Sequence, residues 1–136
     1  NLWGDYTMEL QTSAQPYRLT LRYSSSFTPE GMESGTKDIF QDMAATLVAI
    51  GNLDEIECAF QGDNDQSWSY VLTVEELNQA LPQIVSAYNE RFLNQKDCPL
   101  YASVKDYGDS CADLDQLYEA MWWAIELGAY APQVQS

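Results

Sequence analysis

The sequence predicts a single α+β domain: a four-stranded antiparallel sheet made of two β-hairpins, with helices packed on one face. Three observations carry that expectation. Four short segments alternate apolar and polar residues with a period of two, as half-buried strands do. Longer segments repeat apolar residues at helical spacing. The segments follow one another as ββ-α-ββ-α-α, and one sheet with a single oily face roofed by helices accommodates them all. A length of 136 residues suits one domain, and a chain of that size buries enough surface for one hydrophobic core.

The first hairpin spans residues 6–23. Tyr6, Met8 and Leu10 alternate with Thr7, Glu9 and Gln11, and Tyr17, Leu19, Leu21 and Tyr23 alternate with Arg18, Thr20 and Arg22. Pro16 falls at the start of the second strand, where its missing N–H does least harm. Residues 24–35 carry several serines with Pro29, Gly31 and Gly35, and read as a loop. A helix is expected over 37–51, from the spacing of Ile39, Phe40, Met43, Leu47 and Ile50, with Gly51-Asn52 as its stop. The second hairpin spans 54–73: Ile56, Cys58 and Phe60 face one way, and Trp68, Tyr70 and Leu72 follow a polar turn.

Thr73-Val74-Glu75-Glu76 has the form of a capping box and opens a helix over 74–93, with a break expected near Pro82. Residues 94–109 read mostly as loop. A C-terminal helix is expected over 111–128, after the capping pattern Ser110-Cys111-Ala112-Asp113 and ending near Gly128. The tail from 132 reads as frayed.

Charge narrows the function. With 21 acids against 6 bases the net charge is −15. Such a surface repels phosphate backbones, so nucleic-acid binding is not expected, and it disfavours anionic lipid. It suits solubility, a basic partner or calcium. No apolar run approaches the ~18–20 residues of a membrane span. The stretch Asn1-Leu2-Trp3-Gly4-Asp5 has no initiator Met, basic region or apolar core. An excised fragment, or a mature form whose targeting segment has been removed, is expected.

The chain has no histidine. That removes histidine-based triads, His-ligated zinc and a histidine general base. No CxxC, GxGxxG or P-loop pattern occurs. Ser34-Gly35-Thr36-Lys37 matches the S-x-x-K form of penicillin-recognising enzymes without the rest of their signature, and is read as coincidence. Asp63-Asn64-Asp65 resembles the start of a calcium loop but lacks the glycine and the distal glutamate, so a hairpin turn is the better reading. Asp106, Asp109 and Asp113 form an acidic cluster in which Asp113 is read as a helix cap. Carboxylate pairs such as Glu55 with Glu57 are uninformative among so many acids. No catalytic, metal or cofactor residues are assigned.

Two kinds of site remain. Trp3, Trp122 and Trp123 exceed what a small core needs, and mark either a contact surface or the core edge. Arg18 and Arg22 share the polar face of one strand and either receive a partner's carboxylate or, as favoured, neutralise nearby acids such as Glu9. Among three cysteines, Cys98 and Cys111 flank one loop and are candidates for a disulfide, the alternative being two unrelated thiols. Cys58 reads as a buried small hydrophobe.

Three segments resemble a bacterial domain family of unknown function. Tyr6-Thr7-Met8-Glu9-Leu10-Gln11-Thr12 with Pro16-Tyr17-Arg18-Leu19-Thr20-Leu21 is similar to its "ELQT…PYGLT" hairpin. Ala49-Ile50-Gly51-Asn52-Leu53-Asp54-Glu55-Ile56 is similar to its "IDNVDEI" junction, and Tyr70-Val71-Leu72-Thr73-Val74-Glu75-Glu76 to its "YTYTREE" junction. The resemblance covers residues 6–80. It lacks the family's opening "YVGDNS" segment, and the residues after 94 have no counterpart. The family is found behind the membrane portion of BlaR/MecR-type metallopeptidase sensors on the outer face of Gram-positive cells, and in simpler secreted or anchored proteins. The resemblance therefore implies an extracellular, non-catalytic sensory or interaction domain, tethered by segments outside this chain, whose partner is an unknown protein or envelope ligand. The alternative is a small acidic cytoplasmic immunity or inhibitor protein. A carboxylate hydrolase is the third and weakest reading.

Overall fold

A computed structural model describes residues 6–23, 36–61, 67–93, 97–131 and 134–135. The fold is α+β, in the order β1 (Tyr6–Gln11), β2 (Arg18–Tyr23), α1 (Thr36–Ala49), β3 (Glu55–Gln61), β4 (Ser67–Thr73), α2 (Val74–Arg91), a 3-10 helix (Val104–Asp109), α3 (Cys111–Glu126) and β5 (Val134–Gln135). The strands lie side by side in sequence order. The expected loop, turn and N-terminal segments at 1–5, 24–35 and 62–66 lie outside the described residues, as do Trp3 and the Asp63-Asn64-Asp65 turn.

The sheet is mixed, which corrects the expectation of an antiparallel one. β1–β2 and β3–β4 are antiparallel, but β2 and β3 run parallel, with Leu19 opposite Ile56 and Tyr23 opposite Phe60. The reason lies in α1. Its 14 residues cover about 21 Å, the length of a strand of six or seven residues. The helix therefore returns the chain to the end of the sheet where β2 began, and a strand laid beside β2 from there runs parallel to it. The tail also differs from its frayed reading: Val134 and Gln135 pair antiparallel with Tyr70 and Ser69, adding a short fifth strand.

The buried face of the sheet carries Leu19, Ile56, Cys58, Phe60, Trp68, Tyr70 and Leu72. Rings form a row across it. Tyr23 stacks on Phe60 at 5.0 Å, Phe60 on Trp68 at 4.4 Å, and Phe40 of α1 meets Tyr70 edge-on at 5.1 Å. α1 and α2 pack against this face, and α3 packs on both helices. The apolar residues of β1 depart from expectation. Met8 and Leu10 point to the helix side but stay 62% and 61% exposed, because α1 packs against β3 and β4 and does not cover the outermost strand.

Several helix ends are explained by local chemistry. Thr73 caps α2 by accepting from the N–H of Glu76 at 3.0 Å, and Ser110 caps α3 by accepting from that of Asp113 at 3.3 Å. Ser110, the first residue of the expected capping pattern, is thus the cap, and Asp113, read as a cap in its acidic cluster, supplies the N–H that Ser110 accepts. The break expected near Pro82 is absent, and α2 runs through it as one helix. Pro82 sits on the exposed side, while the buried stripe Leu77, Leu81, Ile84, Val85 and Tyr88 continues in phase. The stretch read as loop contains the 3-10 helix, capped by a reciprocal Ser103–Asp106 box. It sits so close to α1 that a Cβ on Gly108 would lie 3.1 Å from the carbonyl oxygen of Val48. Lys105 leaves this helix to donate to the carbonyls of Leu47 and of Ile50, the latter at 2.8 Å, closing the C-terminus of α1 with a positive charge. Gly128, at φ +79, provides the left-handed turn that ends α3.

Candidate functional site

Three surfaces carry the residues singled out by sequence. The first is a cleft of about 850 Å³ where the starts of β2 and β3 meet the end of β4 and the first turn of α2, lined among others by Pro16, Asp54, Glu55, Thr73 and Glu75. The three segments that carry the family resemblance join here through the backbone. The Asp54 carboxylate accepts the N–H of Tyr17 at 2.8 Å. The N–H groups of Asp54 and Glu55 donate to the Tyr17 carbonyl, and that of Val74 donates to the Asp54 carbonyl at 2.9 Å. Asp54 is therefore a joint holding three strand ends together.

The second surface is the face of the sheet turned away from the helices. Arg22 donates through Nε to Glu9 of β1 at 2.8 Å. Arg18 meets Glu55 at 3.7 Å and Glu57 at 3.3 Å, both on β3. The parallel β2–β3 pairing produces this second contact, since it places Arg18 opposite Glu55 and Thr20 opposite Glu57. Both arginines are engaged by carboxylates of their own chain.

The third surface lies along α2 and α3. The Phe92 ring, at the end of α2, meets Trp123 edge-on at 5.2 Å, and Trp123 meets Trp122 at 5.0 Å. Cations stand at both ends of this strip. The Arg91 guanidinium lies 5.2 Å from the Phe92 ring and 5.0 Å from the Trp123 ring, and Lys37 Nζ lies 5.2 Å from Trp122. Lys37 is also paired with Glu126 at 3.0 Å. Trp123 packs against the edge of the core. Leu127, one turn beyond Trp123, is 46% exposed, and Leu93, next to Phe92, is 71% exposed. Sequence reading found Trp122 and Trp123 but missed Arg91 and Lys37. No local pattern links those cations to the tryptophans, because the strip exists only once α2 and α1 dock on α3.

Other aromatic residues serve the fold. Hydroxyls donate to carboxylates from Tyr88 to Glu119 at 2.9 Å, Tyr101 to Asp113 at 2.7 Å, Tyr118 to Asp42 at 2.9 Å and Tyr130 to Glu76 at 3.1 Å. Burial, reinforced by the Asp42 carboxylate, pushes the Tyr118 phenol up to about 12. The same two causes raise Tyr88 and Tyr130, beside Glu119 and Glu76. With few cations available, phenols take over the neutral pairing of acids at helix seams.

Cys98 and Cys111, the candidates for a disulfide, are free thiols in the structure, as is Cys58. Cys98 is buried, its backbone clamped by the Asn89 side chain on both N–H and carbonyl, whereas Cys111 is exposed on the first turn of α3. Burial raises the Cys98 thiol to about 11 and the Cys58 thiol to about 12. Among the described residues no group of three or more Cys, Asp or Glu converges as metal ligands, and no helix is long and apolar enough to cross a membrane.

No curated protein and no solved structure matches the chain. The family described as domain of unknown function (DUF4825) matches residues 1–73, which span β1 to β4 with α1 between them. On that match, over more than half its length, the chain belongs to the DUF4825 family.

Proposed function

We propose that this chain is a non-catalytic sensory or protein-interaction domain of a Gram-positive envelope protein, carried on the outer face of the cell. The supporting observation is how its functional groups are used. Arg18, Arg22 and Lys37 face carboxylates of their own chain, Lys105 caps α1, and Asp54 joins strand ends. Beside these, the half-buried rings of Phe92, Trp123 and Trp122 form a strip with the exposed Leu93 and Leu127 next to it in the chain. Aromatic residues of this kind dominate binding energies at protein contacts. The absence of histidine and the resemblance to domains of envelope sensors agree with this reading. Protease added to intact cells carrying the epitope-tagged full-length protein tests the location. Cleavage of the tag-bearing domain without lysis is the expected result; protection until lysis would overturn it.

A second reading, a small acidic immunity or inhibitor protein in the cytoplasm, is favoured by one feature. Glu75, exposed at the rim of the cleft beside Asp54 and Glu55, gives that end of the sheet a negative wall suited to a basic enzyme. Protection from external protease, with binding lost on Glu75→Lys, is its signature.

A further inference from the structure

We infer that the α2–α3 strip is the docking surface for a polypeptide segment that presents a single carboxylate beside apolar side chains, with Arg91 receiving the carboxylate. This inference rests on the interaction-domain reading and names the partner chemistry of that surface.

Charge complementarity selects the occupant. Among the described residues, four cations meet an oxygen acceptor: Arg18 at Glu55 and Glu57, Arg22 at Glu9, Lys37 at Glu126, and Lys105 at the end of α1. Arg91 meets none. Its guanidinium lies against the rings of Phe92 and Trp123, on an exposed residue at the last turn of α2. Its position against the rings leaves the N–H donors of its fork without an oxygen acceptor among the described residues, and a carboxylate takes two such donors side by side. The neighbouring Glu90 is also exposed but makes no ion pair with Arg91.

The apolar side of the occupant follows from what surrounds that fork. Leu93, next to Phe92 in the chain, and Leu127, one turn beyond Trp123, are 71% and 46% exposed, and Trp122 extends the rings toward Lys37. An arginine beside tryptophans has the composition of an interface hot spot, and the leucines add apolar surface around it. The rest of the molecule restricts the partner further. At −15 overall, the chain repels a polyanion at long range, so nucleic acid and anionic membrane are disfavoured. An isolated carboxylate flanked by apolar residues meets only the local cation. A second copy of the chain, with the same net charge, is disfavoured for the same reason.

The test uses phage-displayed random 12-residue peptides selected on the immobilised full chain. Synthetic versions of the enriched sequences are then titrated against the protein in solution, with tryptophan fluorescence as the readout. The expected peptides combine one Asp or Glu with aromatic or aliphatic residues. Affinity should fall about tenfold or more with Arg91→Glu and with Leu127→Ser. Arg91→Lys should lose part of it because the fork is gone. Added salt should weaken binding, and Arg22→Glu on the far side of the sheet should leave it unchanged. Circular dichroism of each variant confirms that the fold is kept. Enrichment of basic peptides whose binding responds to Glu75→Gln but not to Arg91→Glu overturns the strip, while leaving an interaction domain standing. Failure to enrich any peptide above an unrelated protein overturns both.

Discussion

Among the described residues, those of 1–73 pair their acids largely with guanidinium groups, whereas those of 74–136 pair theirs largely with tyrosine hydroxyls. In the first region Arg22 pairs with Glu9, and Arg18 with Glu55 and Glu57, across neighbouring strands. In the second, Tyr88 and Glu119 tie α2 to α3, Tyr130 and Glu76 tie the chain after α3 back to α2, and Tyr101 and Asp113 tie the preceding loop to α3. The contrast shows what each region contributes. The family match covers β1 to β4 and α1, a frame held by joints such as Tyr17–Asp54. The region beyond it supplies the roof, and also most of the candidate contact strip. The frame is not closed without the roof. Phe40 touches Tyr130, Gln41 donates to the Tyr118 carbonyl at 2.8 Å, and Lys105 caps α1.

The largest expected effect follows from that dependence. A fragment ending at residue 73 loses the cover over Phe40, Leu47 and Leu72, all fully buried in the whole chain. It should show no cooperative urea transition; a cooperative one would mean that the two regions are independent. Next, Phe40→Ala should cost about 3–5 kcal/mol, a large share of a typical domain's 5–15 kcal/mol. Leu10→Ala on the uncovered strand should leave the urea midpoint unmoved. Equal effects would show that β1 is covered in solution.

Smaller changes separate the two kinds of polar contact. Tyr88→Phe, which removes the hydrogen bond to Glu119, should cost about 1 kcal/mol, and Lys105→Met about 1 kcal/mol through the end of α1. Alkaline pH acts on the phenols. Unfolded tyrosines release their protons near 10.0, while folded Tyr118 and Tyr107 hold theirs to about 12. The unfolded chain then binds fewer protons, so stability is complete below about pH 9 and falls progressively between pH 10 and 12. Tyr118→Phe should flatten that fall in pH-dependent urea melts, whereas Arg22→Ala should not change its slope. The thiols give the smallest signal. At pH 8 an aromatic disulfide reagent should modify exposed Cys111 first, and Cys58 and Cys98, raised to about 12 and 11, only as the protein opens. Rapid reaction of all three would contradict the burial.

Much of the fold was legible because it rests on short-range patterns. The alternation in Arg18–Tyr23 and Ser67–Thr73 marks strands, and the caps Thr73 and Ser110 lie where the sequence places them. What escaped depends on partners distant in sequence. Period-two patterning assigns Leu19 and Ile56 to a face but does not tell which strand lies beside which, so the parallel pair was missed. Helix-length bookkeeping on residues 37–51 would have suggested the crossover. Pro82 misled because a proline's cost depends on whether its side of the helix meets water, which only packing decides. At the candidate site, Trp122 and Trp123 stood out by type, but Arg91 became notable only when α2 laid it on Trp123.

The measurement that tests the account most directly is native-state amide exchange along a denaturant series, comparing the sheet with the roof. If the second region completes the first, amides of Ile56 and Leu72 in the sheet and of Leu117 and Met121 in α3 should converge on one opening free energy with one denaturant slope. Exchange of α3 through a smaller opening, with β3 and β4 still protected, would contradict a single cooperative domain and leave the contact strip on an independent appendage.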